Sequence, residues 1–167
     1  MRNRIEQVLG ALDHAGVRYM VVGGVAVVLH GHLRTTLDLD LVIQLESENL
    51  GKALKTFADL GFHPRVPVPL QAFADPQIRE SWSRDKNMTV FSLGRPDEPG
   101  FVVDLFVKEP FDFEEVYGRA LVVPLQETRA TVISLPDLIA MKQAVGRDQD
   151  LQDIKALQEL SRVGTED

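Results

Sequence analysis

Two adjacent glycines, Gly23 and Gly24, break the longest apolar run of the chain, residues 20–29, into two pieces of different character. Residues 17–22 are apolar or β-branched apart from Arg18, which predicts a short buried strand, whereas residues 25–30 have the length and composition of a helix turn or two before Gly31. A strand that turns a glycine corner into a helix requires a sheet with helices packed against it. The interrupted run is too short to span a bilayer and lies too far from Met1 to be a secretory signal, so cytoplasm is the expected compartment and no membrane partner is expected. At 167 residues and 44% hydrophobic content, the chain can bury one core, and a single domain over residues 1–167 is expected.

The rest of the chain elaborates the same layering. Ile5, Val8, Leu9 and Leu12 recur at helical spacing, with Gly16 as a terminal cap. Residues 37–45 alternate acidic and apolar side chains before becoming mostly apolar, as a strand does when one face is covered and the other opens into a cleft. Leu50, Ala53, Leu54, Phe57 and Leu60 mark a helix ended by Gly61. Three prolines in residues 63–70 predict an extended segment or loop. Asp75 before Pro76 is a helix start, with Ile78 and Trp82 on one face. Residues 88–93 and 101–107 read as a hairpin around a turn at 95–100, and residues 131–134 as a further strand. Ser134 and Asp137 form a variant capping box that opens a helical hairpin over about residues 135–162, hinged at Gly146. The fold class expected is α+β, a mixed sheet flanked by helices.

Side chains of a strand alternate faces, so Asp38 and Asp40 project from one side, about 7 Å apart at Cα, while Leu39 and Leu41 point into the core. Two like charges at a partly covered site repel unless a cation or basic partner compensates. Hard carboxylate oxygens suit magnesium or manganese; the alternative is an ordinary solvated strand face. The Gly23-Gly24 corner lets backbone approach a bulky anion, or is simply a tight strand-to-helix turn. It is neither a Walker loop nor a dinucleotide fingerprint. Asp104 stands alone in the apolar segment of residues 101–106, where a charge is costly unless a metal or hydroxyl answers it. Lys142 falls within the stripe of Leu135, Leu138, Ile139 and Val145, and Asp150 lies beside Ile154 and Leu157; the two can pair across the hairpin. His30 and His32 lack a third neighbouring ligand and make a poor transition-metal site. Trp82 could stack on a base, though its spacing from Ile78 favours core packing. No cysteine is present, so disulfide and thiolate chemistry are excluded. A net charge of −7 opposes a long polyanionic partner.

Taken together, Gly23-Gly24, Arg34-Thr35-Thr36 followed by Asp38-Leu39-Asp40, the later Asp104, and Lys142 with Gly146-Arg147-Asp148, Asp150 and Asp153 resemble the nucleotidyltransferase superfamily that includes DNA polymerase beta. The pattern is most similar to the small bacterial abortive-infection type. The resemblance implies a nucleotidyltransferase-like fold and transfer of a nucleoside monophosphate from an NTP to an acceptor hydroxyl, with release of pyrophosphate. It implies Asp38, Asp40 and Asp104 as Mg2+ or Mn2+ ligands, Asp104 also helping to deprotonate the acceptor. Gly23, Gly24, Arg34, Thr36, Lys142 and Asp150 are implied on the nucleotide side, Lys142 reaching the β and γ phosphates and oriented by Asp150. The acceptor is left open between an RNA end, a small molecule and a protein. An alternative role is a non-catalytic or regulatory partner in a toxin-antitoxin type pair, bound to a protein encoded nearby. Many members carry Gly-Ser at the corner; Gly24 departs from that pattern and provides no hydroxyl.

Overall fold

Seven strands run in the order β3-β4-β5-β2-β1-β7-β6 in a computed structural model that describes residues 3–36 and 38–165. They are β1 (Tyr19–Val22), β2 (Asp38–Ile43), β3 (His63–Pro64), β4 (Val90–Arg95), β5 (Glu98–Phe106), β6 (Leu121–Pro124) and β7 (Arg129–Val132). The helices are α1 (Arg4–His14), α2 (Gly23–Leu29), α3 (Ser47–Asp59), α4 (Pro76–Lys86), α5 (Phe113–Tyr117), α6 (Leu135–Val145) and α7 (Asp148–Thr165). The sheet is mixed: β2 pairs parallel with β5 and β1 parallel with β7, and the other pairings are antiparallel. This is the expected mixed α+β fold, with a C-terminal helical hairpin formed by α6 and α7.

Local chemistry accounts for most boundaries. Asn3 caps α1 by accepting from the Glu6 N–H, and Asp75 caps α4 in the same way from Gln77, with proline at the first helical turn. Ser134 accepts from the Asp137 N–H and starts α6, which Gly146 ends in the left-handed region at φ 68°. The two prolines nearest β3 leave only a two-residue edge strand there.

Several expectations are corrected. The glycine corner is not a turn ahead of a helix, because Gly23 and Gly24 are themselves the first residues of α2. The β4–β5 turn is confined to Pro96 and Asp97, since the strands extend inward past a bulge at Gly94/Arg95 and Arg95 ion-pairs with Glu98 across it. β6 and α5 have no counterpart in the sequence reading. Leu121 and Val122 of β6 are exposed, so that edge strand carries no inward-facing pattern to read. Leu37, the first residue of the expected second strand, lies outside the described residues.

The helices form two contiguous groups, α1 with α3 and α4 linked through a 3-10 turn (Leu70–Ala74), and α2 with α6 and α7. Trp82 of α4 and Phe73 of the 3-10 turn stack on Phe91 of β4, so the first group covers the face carrying Phe91, Leu39, Leu41, Val103 and Leu105. Trp82 is thereby a core residue and not a platform for a base. The opposite face, over β4, β5 and β2, carries the polar side chains.

Candidate active site

β2 lies between β1 and β5, and its register brings the acidic residues together. Asp40 is the direct partner of Asp104 on parallel β5 and of Val22 on β1, the residue just before the glycines; Asp104 is opposite Ser92 on β4. Directly paired residues share a face, so Asp38, Asp40, Asp104 and Ser92 project to the same side while Leu39, Leu41, Val103 and Leu105 are fully buried on the other. The Ser92 hydroxyl donates to Asp104 Oδ1 at 2.5 Å, a contact that only the strand pairing could reveal.

Crowding has an electrostatic signature. Burial, then repulsion from Asp104 and Asp38 and a hydrogen bond with the Asp104 carboxyl, push Asp40 from the ordinary aspartate value of 3.8 to about 7, against a partial opposing pull from Lys142. Asp38, exposed at the start of β2, is also raised, by desolvation and then by Asp104, with Arg65 acting the other way. Among the described residues no three His, Cys, Asp or Glu side chains are already drawn in tightly enough to hold an ion. The donor chemistry nevertheless fits a hard divalent cation: three carboxylates share one sheet face, and positive charge relieves the repulsion between them.

The glycines are explained by this neighbourhood. Gly23 has φ +67°, and a β-carbon on it would lie 2.1 Å from Asp40 Oδ2. Gly24 needs no unusual backbone, but a β-carbon there would lie 2.7 Å from Thr36 Oγ1 and 3.4 Å from Arg34 Cζ. Each glycine therefore makes room for a different polar side chain, Asp40 at the first and Thr36 with Arg34 at the second. Thr36 also donates to the Asp38 carbonyl at 3.4 Å.

Arg34 reaches the C-terminal hairpin, where its Nη1 is 2.6 Å from Asp153 Oδ2. Lys142 Nζ is 3.0 Å from the same oxygen and 3.5 Å from Asp150 Oδ1. Arg147 Nε meets Asp150 Oδ2 at 2.8 Å and Nη2 meets Oδ1 at 3.4 Å, which holds the Asp150 carboxyl below the usual carboxylate range. The pairing across the hairpin thus exists, but the nearer carboxylate to Lys142 is Asp153. Asp153 and Arg147 stood in the quoted motif without a role. The signal for Asp153 was available, since Asp150, Asp153, Ile154 and Leu157 recur on one helical stripe. Val145 does not belong to the α6 core stripe, because it is exposed at the end of the helix. His30 Nε2 is engaged with the Ile133 carbonyl at 2.8 Å, a tie between α2 and the segment after β7.

The mixed sheet flanked by helices, closed by a C-terminal helical hairpin, is a nucleotidyltransferase-like fold. The family model described as "Nucleotidyltransferase of unknown function (DUF6036)" matches residues 1–165, and the chain belongs to that family. It is a nucleotidyltransferase, an enzyme that moves a nucleoside monophosphate from an NTP. Among solved structures, the fold is similar to the lincosamide antibiotic adenylyltransferase LnuA, crystallised with lincomycin, at 16% identity and a TM-score of 0.62 over 93% of this chain and 95% of that one. It is also similar to ANT(2'')-Ia, crystallised with adenylyl-2''-tobramycin, at 14% identity and a TM-score of 0.59 over 97% of this chain and 88% of that one. An antigenic nucleotidyltransferase-like protein from Paracoccidioides brasiliensis matches at 22% identity and a TM-score of 0.53, covering 93% and 74% of the two chains. A search of curated proteins returned no match. Among the described residues no helix is long and apolar enough to cross a membrane.

Proposed function

We propose that this chain, acting as one domain, transfers the nucleoside monophosphate to a hydroxyl of a small acceptor molecule, with Asp38, Asp40 and Asp104 holding Mg2+ or Mn2+. The observation that carries the proposal is the direct pairing of Asp40 with Asp104 beside Gly23, which is cleared of a side chain by the Asp40 carboxyl itself. A divalent cation held there would supply charge stabilisation for the phosphoryl oxygens. Gly23 and Gly24 make room for Asp40 and for Thr36 with Arg34, and so set these side chains where the triphosphate would lie against them. Arg34 and Thr36 face the nucleotide, Thr36 lending a hydroxyl where Gly24 has none, and the buried Lys142 and Asp150 support that side, Lys142 through Asp153, which holds Arg34. Asp104, oriented by Ser92, accepts the proton of the acceptor hydroxyl. The acceptor oxygen then bonds to the α-phosphorus as the α–β bridging bond breaks, and pyrophosphate leaves.

The net charge of −7 supports a small acceptor over a long nucleic acid, since a polyanion would be repelled over most of the surface. The test is incubation with α-labelled NTPs, Mg2+ and fractionated small molecules, proteins and RNA. Label should enter a small-molecule fraction and be lost with Asp40→Asn or Asp104→Asn. Label confined to RNA or protein would overturn the acceptor class, and no label in any fraction would overturn the reaction.

A further inference from the structure

The five charged side chains at the C-terminal hairpin differ in exposure in a way that separates their roles. Asp153 and Asp150 are 0% and 3% exposed, Lys142 is 7% exposed, and Arg34 is 22% exposed. Arg147, by contrast, is 74% exposed although it sits on the same network. A buried lysine retains its charge only when its ammonium protons meet acceptors, and Lys142 meets both carboxylates. Its charge is therefore spent inside the protein, shared with Asp150 and Asp153. Pulling it toward a phosphate would strip two buried carboxylates of their common partner.

Arg147 is built to do the opposite. Asp150 grips one edge of its guanidinium through Nε and Nη2, and accepts the Arg147 backbone N–H at 3.2 Å as well. This fixes the plane of the group and leaves the Nη1 side pointing away from Asp150. A planar, pre-oriented fork with free donors suits a phosphate far better than a mobile surface arginine does. The opposite end of the network borders the glycine corner, with Arg34 Cζ 3.4 Å from where a Gly24 β-carbon would stand. Three cations against two carboxylates leave the network with net positive charge beside three aspartates.

We infer that Arg147, presented by Asp150, is the side chain that grips the polyphosphate of the nucleotide, and that Lys142 is a positioning residue that locks Asp150 and Asp153 in place from behind. The inference rests on the nucleotidyl-transfer reading and deepens it by assigning the anion contact to a different cation.

The test compares wild type, Arg147→Ala, Arg147→Lys and Lys142→Met for binding of inorganic tripolyphosphate and NTP in the presence of Mg2+, with Tm and KM measured alongside. Arg147→Ala should lower Tm less than Lys142→Met does, since Asp150 keeps Lys142 and the backbone N–H of residue 147, and should weaken tripolyphosphate binding about tenfold or more and raise KM for NTP by a similar factor, as loss of a charge-assisted contact requires. Arg147→Lys should recover only part of that binding, because an ammonium cannot take both the Asp150 edge and the phosphate. Lys142→Met should lower Tm, and its binding defect should be smaller than that of Arg147→Ala. If Arg147→Ala binds tripolyphosphate like wild type while wild type binds NTP, the assignment of Arg147 is overturned and the reaction stands. If wild type binds neither tripolyphosphate nor NTP, the nucleotidyl-transfer reading falls and this inference with it.

Discussion

Replacing Asp40 by asparagine should make the metal-free protein more stable at pH 8, even though it removes a residue of the site. The carboxyl of Asp40 is shifted from 3.8 to about 7 by burial and by its acidic neighbours, so the folded state holds that proton more tightly than the unfolded chain does. Its contribution to stability is full below the unfolded value, declines as pH rises, and is lost above about 7. A separation of about three units at about 1.36 kcal/mol each sets an upper limit of about 4 kcal/mol on that loss. Asparagine carries no charge at any pH, and its amide can donate to Asp104 as the protonated carboxyl does. At roughly 2 to 4 °C per kcal/mol for a chain of this size, recovery of half the limit would raise Tm by about 4 to 8 °C. The assay is thermal unfolding by calorimetry in a chelator at pH 8 and at pH 5. The gap between variant and wild type should narrow at pH 5, where wild-type Asp40 is protonated. A variant that melts below wild type at pH 8, or a gap that does not change with pH, would refute the picture of three mutually repelling carboxylates.

Adding Mg2+ or Mn2+ at pH 8 should raise the wild-type Tm by mass action, worth about 2.7 kcal/mol at a hundredfold excess over Kd, and should leave Asp40→Asn nearly unmoved, as calorimetry would show. Gly23→Ala should destabilise by about 1 to 3 kcal/mol from the left-handed backbone alone, and should lose transfer activity because its β-carbon displaces the Asp40 carboxyl; denaturant titration and a labelled-NTP assay read the two effects. Lys142→Ala should cost about 1 to 3 kcal/mol in urea unfolding, since it removes the buried cation shared by Asp150 and Asp153 while Arg147 and Arg34 keep one partner on each; an unchanged unfolding midpoint would mean the pairing is not structural.

The contrast between Asp38–Asp40 and Asp104 shows what kind of information the chain carries locally. Alternation along β2 put the two aspartates on one face from sequence alone, and the caps at Asp75-Pro76, Ser134 and Gly146 marked helix boundaries because each acts on backbone groups within three or four residues. A lone acid in an apolar strand made Asp104 conspicuous, but nothing nearby in sequence stated which strand it would face. Parallel pairing supplied Asp40 as its neighbour, and antiparallel pairing supplied Ser92. The weak edge strand β6 escaped notice because its exposed residues have no buried face to impose a period.

What the sequence determined by itself was local: strand and helix periods, capped ends, the position of two glycines and the chemical kind of each charged group. Only the tertiary structure decided that Gly23 is glycine for the sake of Asp40, that Gly24 yields its space to Thr36 and Arg34, and that Lys142 turns toward Asp153. Torsional preferences and capping bonds reach a few residues along the chain, whereas contact between distant side chains is set by strand register and helix docking, which minimise exposed apolar surface and unpaired charge over the whole molecule at once.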